Sequence, residues 1–172
     1  MKNKNLLIFG NLGTVGKLIE TVFRNKDKKF IGFSRKDRNG ENSFKINVKN
    51  KISNNNKHII RKSEVIIFAL KKKEANSNFL KDLANLIFYE VIFPLSIINE
   101  FDDKKKIFIF INSDCIFTLK SKKIYIISKL IGYFVSTKIL KKFYKSEVKT
   151  FFLTSNKSKN IKILENGLKK YL

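Results

Sequence analysis

The sequence predicts an α/β fold: a doubly wound parallel β-sheet of about six strands with helices on both faces. Three observations carry this. Six short apolar runs recur along the chain, and helix-compatible segments lie between them. A glycine-rich turn, Gly10-Asn11-Leu12-Gly13-Thr14-Val15-Gly16, follows the first run directly. Strand–helix alternation of this kind implies parallel pairing through crossover connections.

The strands are expected at Asn5–Phe9, Phe30–Phe33, Phe44–Val48, Val65–Leu70, Ile107–Ile111 and Val148–Leu153. The fourth and fifth are continuous apolar runs, as a central strand covered on both faces requires. The first helix is expected over Thr14–Arg24, where Val15, Leu18, Ile19 and Val22 share one face. Lys49–Lys62 is polar and Asn-rich and is read as a short helix. Asn78–Phe101 and Lys123–Tyr144 are long helices, apolar over more of their circumference than one core-facing stripe needs, so each should be buried on two sides. Pro94 should kink the first of them. An amphipathic segment, Lys157–Tyr171, closes the pattern.

Bulk properties bound the answer. The 172 residues suit one domain, 1–172, large enough to bury roughly 70% of its unfolded surface. A hydrophobic content of 43%, with 17 Phe and no Trp, fits a packed core rather than disorder. The single cysteine, Cys115, excludes an internal disulfide and fits a reducing compartment. The longest apolar-rich stretch, Leu83 to Ile98, is interrupted by Asn85, Glu90 and Pro94 and falls short of the ~20 residues a spanning helix wants. We therefore expect no membrane span and a soluble, cytoplasmic protein.

The balance of 37 Lys+Arg against 14 Asp+Glu gives a formal charge of +23. Such a field attracts polyanions. Here, however, the cations are mostly lysines scattered through the chain among Asn and Ile, which reads as compositional bias rather than a specific nucleic-acid footprint. A basic nucleic-acid-associated protein is the third reading in order. His58 is expected at the surface, Cys115 as a small buried hydrophobe, and no metal-ligand spacing is present.

Two constellations carry chemistry. In the first, the Gly10, Gly13 and Gly16 turn stands between strand and helix. Glycines there permit a tight turn and close approach of a pyrophosphate, and the helix start offers N–H groups and a positive dipole end. In the second, Tyr125 and Lys129 lie four apart, on one face of a helix. A phenol near pKa 10 needs help at neutral pH, and an adjacent ammonium pulls it toward the working range. Ser113 ends the fifth strand, where open α/β sheets place ligands.

The glycine turn followed by Ser113 and Tyr125-Ile126-Ile127-Ser128-Lys129 resembles the short-chain dehydrogenase/reductase family, whose fold is Rossmann-like. The Gly-x-x-Gly-x-x-Gly spacing and the stretch Asn112-Ser113-Asp114-Cys115-Ile116-Phe117 look like its sugar-nucleotide-modifying branch. The resemblance implies an NAD(P)(H)-dependent oxidoreductase that reduces a carbonyl or oxidises an alcohol, with Tyr125 as general acid/base. It implies that Ser113 polarises the substrate carbonyl, that Lys129 also holds the nicotinamide ribose, and that Asn85 holds a proton-relay water. Cofactor contacts are implied at Gly10, Leu12, Gly13, Thr14, Val15, Gly16, Ser34, Arg35, Asn47, Val48, Ala69, Leu70 and Lys129. Ser34-Arg35 stands where a carboxylate would select NAD, which favours NADP. Dimerisation through helices 78–101 and 123–144 is also implied.

Departures are present. Lys71-Lys72-Lys73 replaces the family's Asn-Ala-Gly signature. After Leu153 the family's Pro-Gly and substrate-covering segment are missing. Three explanations stand: a compact reductase acting on a substrate presented by a partner, an enzyme completed by its dimer mate, or a degenerate member that binds nucleotide without catalysis. The two leading function classes are thus a carbonyl or sugar-nucleotide reductase and a non-catalytic nucleotide-binding or scaffold protein.

Overall fold

The computed structural model describes residues 5–34, 43–46, 52–70, 78–118 and 123–171. Six strands, β1 (Leu6–Phe9), β2 (Phe30–Ser34), β3 (Ser43–Lys45), β4 (Val65–Phe68), β5 (Ile107–Ser113) and β6 (Glu147–Leu153), form one sheet in the order β3-β2-β1-β4-β5-β6. Every pairing is parallel, with Leu6 beside both Phe30 and Val65, and Val65 beside Ile107. The order reverses at β1, and that reversal opens a crevice at the carboxyl ends of β1 and β4.

Side chains alternate across the sheet with period two. Leu6, Ile8, Val65, Ile67, Ile107 and Ile109 face α1 (Thr14–Arg24) and α8 (Lys157–Leu168), an aliphatic layer. Leu7, Phe9, Phe33, Phe68, Phe108 and Phe110 face the other way, toward α2 (Asn54–Lys62) and the long helices. On that face the phenylalanines stack strand over strand. Phe9 and Phe68 lie 5.5 Å apart at 10°, and Phe93 meets Phe9 edge-on at 5.2 Å. This is where the chain spends much of its Phe content.

Element boundaries differ from the sequence pattern in physically sensible ways. β3 starts one residue earlier than expected, and Ile46 N–H then closes onto Ser34 O at 2.7 Å. The polar segment before Asn54 is not helical over residues 52–53, because Ser53 caps α2 by accepting from Asn56 N–H. The end of α2 is closed by a buried cation. Lys106 Nζ donates to the carbonyls of Ile60, Arg61 and Ser63 at 3.1, 2.9 and 2.7 Å.

The first long helix is α3 (Phe79–Ile87) and α4 (Phe93–Phe101) joined by a π turn, Phe88–Ile92. Pro94 has no N–H to give the carbonyl four residues back. Phe93 N–H instead reaches five residues back, to Phe88 O, so the helix widens where a kink was expected. The second comprises α6 (Lys123–Phe134), a π turn Val135–Ile139 and α7 (Leu140–Phe143). By length and composition the run Phe79–Phe101 could cross a membrane, which the sequence reading did not anticipate. Its Phe93, Ile97, Ile98 and Phe101 are buried against the sheet, as in a core helix. His58 is exposed, Cys115 is a buried free thiol, and the described residues contain no group of three or more metal-ligating side chains.

Candidate active site

β1 ends at Phe9, and Gly10 turns the chain with φ +87°, a conformation that favours glycine. A Cβ on Gly10 would meet Ala69 O at 2.6 Å, so the turn lies against the end of β4. Gly16 is packed even more tightly: its Cβ would stand 2.3 Å from Gly10 O. Gly13 is the N-cap of α1, and among the described residues no side chain caps that helix. The first-turn N–H groups are therefore presented to whatever fills the crevice, and the helix dipole favours an anion there. Leu12 is half-buried in the turn.

A buried pair that the sequence reading missed backs this turn. Asn11 Nδ2 donates to Glu20 Oε1 at 3.1 Å, and Gly32 in β2 makes room, since a Cβ there would fall 2.1 Å from Asn11 Nδ2. Ser34 is buried at the end of β2. Arg35, Asn47, Val48 and the run Lys71-Lys72-Lys73 lie outside the described residues.

A cavity of about 330 Å³ opens at the carboxyl ends of the strands. Gly13, Thr14 and Val15 wall one side, with Ala69 and Leu70 from the end of β4. Ser113, Tyr125 and Lys129 wall the other. The floor and rim come from Ile111, Leu153 and a loop that sequence reasoning did not single out: Thr154, Ser155, Lys157 and Asn160. The helix start and the Ser/Tyr/Lys set thus converge on one space. The cavity thus combines N–H groups at a helix start with an apolar-and-hydroxyl wall.

Asn112 joins the two halves of the polar wall. Its Oδ1 accepts from Ser113 N–H at 2.8 Å and its Nδ2 donates to Lys129 O at 3.2 Å, tying the end of β5 to α6. Ser113 Oγ accepts from Cys115 N–H at 3.3 Å and is hydrogen-bonded to the Tyr125 phenol. Lys129 Nζ lies 5.6 Å from the Tyr125 ring centroid. Asn85 does not join them. Its amide donates to Lys81 O at 2.7 Å within its own helix.

The residue that does reach Lys129 is Glu90, in the π turn. Its two carboxylate oxygens lie 2.6 and 2.7 Å from Lys129 Nζ, with the side chains only 11% and 5% exposed. Burial pushes the Lys129 ammonium down, but Glu90 and then Tyr125 outweigh it and hold its pKa above the ordinary lysine value. For Tyr125, burial pushes the phenol up, Lys129 pulls it down and Glu90 pushes it up again. The net direction is upward, opposite to what the Tyr125–Lys129 spacing alone implied. The spacing showed one cation; the fold adds desolvation and a counter-charge.

No protein-family model matches the chain, and no curated protein matches it by sequence. Solved structures do match in three dimensions. An oxidoreductase of the short-chain dehydrogenase/reductase family from Brucella ovis, in complex with a partially ordered NAD, aligns with a TM-score of 0.70 at 11% identity, over 99% of this chain and 92% of that one. A bulky-bulky ketone specific alcohol dehydrogenase from Comamonas testosteroni aligns at 0.73 and 11% identity, over 99% and 84%. FolM alternative dihydrofolate reductase 1 from Brucella suis, in complex with NADP, aligns at 0.64 and 10% identity, over 87% and 74%. With the strand order and the site geometry above, these likenesses define the architecture: the chain has the fold of the short-chain dehydrogenase/reductase family.

Proposed function

We propose that the protein is an NAD(P)(H)-dependent oxidoreductase that reduces a carbonyl, or oxidises the matching alcohol, with Tyr125 as general acid/base. The observation that carries this reading is convergence. Ser113, Tyr125 and Lys129 face the same cavity as the bare amino terminus of α1. A nicotinamide dinucleotide bound there would supply or accept the hydride; the Thr14 and Val15 N–H groups would hold its phosphates, and Ala69 and Leu70 would line its seat. Ser113 orients the substrate oxygen by hydrogen bonding, and Tyr125 Oη delivers the proton to that oxygen as the carbonyl carbon is reduced. The preference for NADP rests on Ser34-Arg35 in the sequence, and the substrate class on the likeness to sugar-nucleotide reductases. The single buried thiol, Cys115, suits a reducing compartment, and we place the protein in the cytoplasm.

A homo-oligomer belongs to the same proposal. Leu80 on α3, Ile92 in the π turn, and Leu130 and Phe134 on α6 are exposed apolar side chains on helices that pack together. Their burial against a second copy accounts for helices apolar beyond one stripe. The placement of Asn85 away from the site favours the second reading, a nucleotide-binding protein without catalysis.

Thermal melting with NADPH and NADH in parallel tests cofactor binding. A ligand at a hundred times its Kd stabilises by about 2.7 kcal/mol, which is roughly 5–10 °C for a domain of this size. No shift with either cofactor would end the oxidoreductase reading. Tyr125→Phe then separates the classes: turnover lost with binding kept supports catalysis, whereas binding with no turnover to lose supports the second reading.

A further inference from the structure

We infer that Glu90 is a positioning residue of this site: by gripping the Lys129 ammonium with both carboxylate oxygens it keeps Tyr125 in its proton-bearing form, which fits the site for carbonyl reduction rather than alcohol oxidation at neutral pH. The inference rests on the proposed oxidoreductase reading for its direction of reaction, and on the contact of Glu90 with Lys129, beside the half-buried Tyr125, for the state of the phenol.

The geometry is specific. Glu90 sits in the π turn Phe88–Ile92, the segment of its helix whose hydrogen bonding departs from the α pattern. That departure adjoins Pro94, and widened turns of this kind recur at functional sites. Gly132 in α6 faces Glu90 across the helix pair, with a Cβ there 3.6 Å from Glu90 Cβ and Glu90 O, so the two helices approach closely at this point. Lys129 is one helical turn from Gly132 and, though buried, lines the cavity wall. Glu90, which pairs with that ammonium, is not among the residues lining the cavity.

A lone buried cation beside a phenol draws the proton off it. A cation paired at 2.6 and 2.7 Å presents a dipole, whose field falls off faster and whose negative end is also near. The charged and titratable groups around Tyr125 are Lys129 on its own helix, Glu90 from the π turn and Cys115 from the short helix α5 (Cys115–Thr118), with Lys157 across the cavity. Of the carboxylates among the described residues, Glu90 is the one in contact with the ammonium. Removing its charge releases the full field of Lys129 onto the phenol and favours the phenolate, the form that accepts a proton from an alcohol.

The chain makes this directly measurable, because it has five tyrosines and no tryptophan. Near-ultraviolet phenolate absorbance is followed against pH for the full chain, and the Tyr125→Phe titration is subtracted to isolate Tyr125. In Glu90→Gln, the Tyr125 phenolate is expected at lower pH than in the wild type. An unchanged or higher titration overturns the inference. Since Glu90→Gln leaves a buried ammonium without its partner and can fail to fold, the double variant Glu90→Gln/Lys129→Met provides the second arm. It buries no unpaired charge. If the pair is self-neutralising, Tyr125 titrates in the double variant where it does in the wild type. A clear rise in the double variant would mean that Lys129 acts on the phenol unneutralised, and would also overturn the inference. Neither arm needs cofactor or turnover, so failure of the oxidoreductase reading appears in the cofactor melts and failure of this one in the titration.

Discussion

Asn160 holds Thr154 by both of its backbone groups: Thr154 N–H donates to Asn160 Oδ1 at 2.7 Å, and Asn160 Nδ2 donates to Thr154 O at 2.8 Å. Thr154 is the first residue after β6, and Asn160 is buried in the first turn of α8. The pair fixes the loop that forms the cavity rim. Replacing Asn160 by Leu strands a backbone donor and acceptor, at a cost of about 1–3 kcal/mol for each group left unsatisfied. We expect a lower melting temperature, by roughly 2–4 °C per kcal/mol, and weaker NADPH binding. Asn160→Asp keeps the acceptor and loses the donor, and should fall between the two. Melting curves for Asn160→Leu that overlay the wild type would refute the role.

The three turn glycines should not be equivalent. A Cβ on Gly16 would lie 2.3 Å from Gly10 O and 2.5 Å from Asn11 Cα, both backbone atoms that cannot swing aside. Among the described residues, a Cβ on Gly13 meets only Gly10 O, at 3.2 Å. Forcing atoms into a packed site costs about 1–3 kcal/mol or more. Gly16→Ala should therefore destabilise strongly. Gly13→Ala should fold close to wild type yet weaken cofactor binding, because Gly13 lines the cavity. Urea denaturation and NADPH titration of the two variants distinguish these outcomes, and equal destabilisation would sink the ordering.

The fold was legible because its strands are written as short apolar runs with the right rhythm. Leu6–Phe9 and Val65–Phe68 are buried at every position, so their neighbours on both faces are predictable without knowing which they are. The shared cavity wall of Ser113, Tyr125 and Lys129 was legible as well, since strand-end and i, i+4 positions bring such side chains together. The placement of Asn85 apart from that wall was not. A residue count along a helix assumes 3.6 residues per turn, and the π turn Phe88–Ile92, which begins three residues after Asn85, breaks that count between α3 and the residues beyond it. Glu90 was read only as an interruption of an apolar stretch, because its partner lies 39 residues away. Asn11–Glu20 and Asn160–Thr154 escaped for the same reason: polar residues announce a hydrogen bond, but not with whom.

The exposed apolar side chains make a prediction about assembly. Phe134 is 57% exposed and Leu80 72% exposed, on helices that already pack against each other. A stable interface buries about 800 Å² per partner. A charge placed at its centre is left desolvated and unpaired, and truncation or charge insertion at such anchors costs 2 kcal/mol or more by the usual ~2 kcal/mol threshold for hot spots. Phe134→Glu should lower the mass measured by light scattering to that of one chain and leave the monomer's melting temperature nearly unchanged. A wild-type protein that is already monomeric at high concentration would remove the oligomer from the proposal.

Acid sensitivity should trace in part to Asp102. This residue ends α4 and binds the start of β6's approach: its carboxylate accepts from Lys145 N–H at 3.1 Å, from Ser146 N–H at 2.9 Å and from Ser146 Oγ at 2.5 Å. Burial pushes its pKa up, but those hydrogen bonds and the nearby Lys145 charge outweigh it and hold the carboxyl below its ordinary value of 3.8. A carboxylate whose folded pKa is depressed contributes stability that is fully present above the unfolded pKa and is lost as pH falls through the folded one. Hydrogen bonds to a charged group are worth about 1.5–3 kcal/mol when sheltered, and partial exposure here puts the expected loss at the low end. Asp102→Asn should therefore be less stable than wild type at neutral pH, with the difference shrinking as pH drops below 3.8. Chemical denaturation of both proteins across that range measures it. A difference that stays constant with pH would show that the Asp102 charge contributes nothing and that only its shape matters.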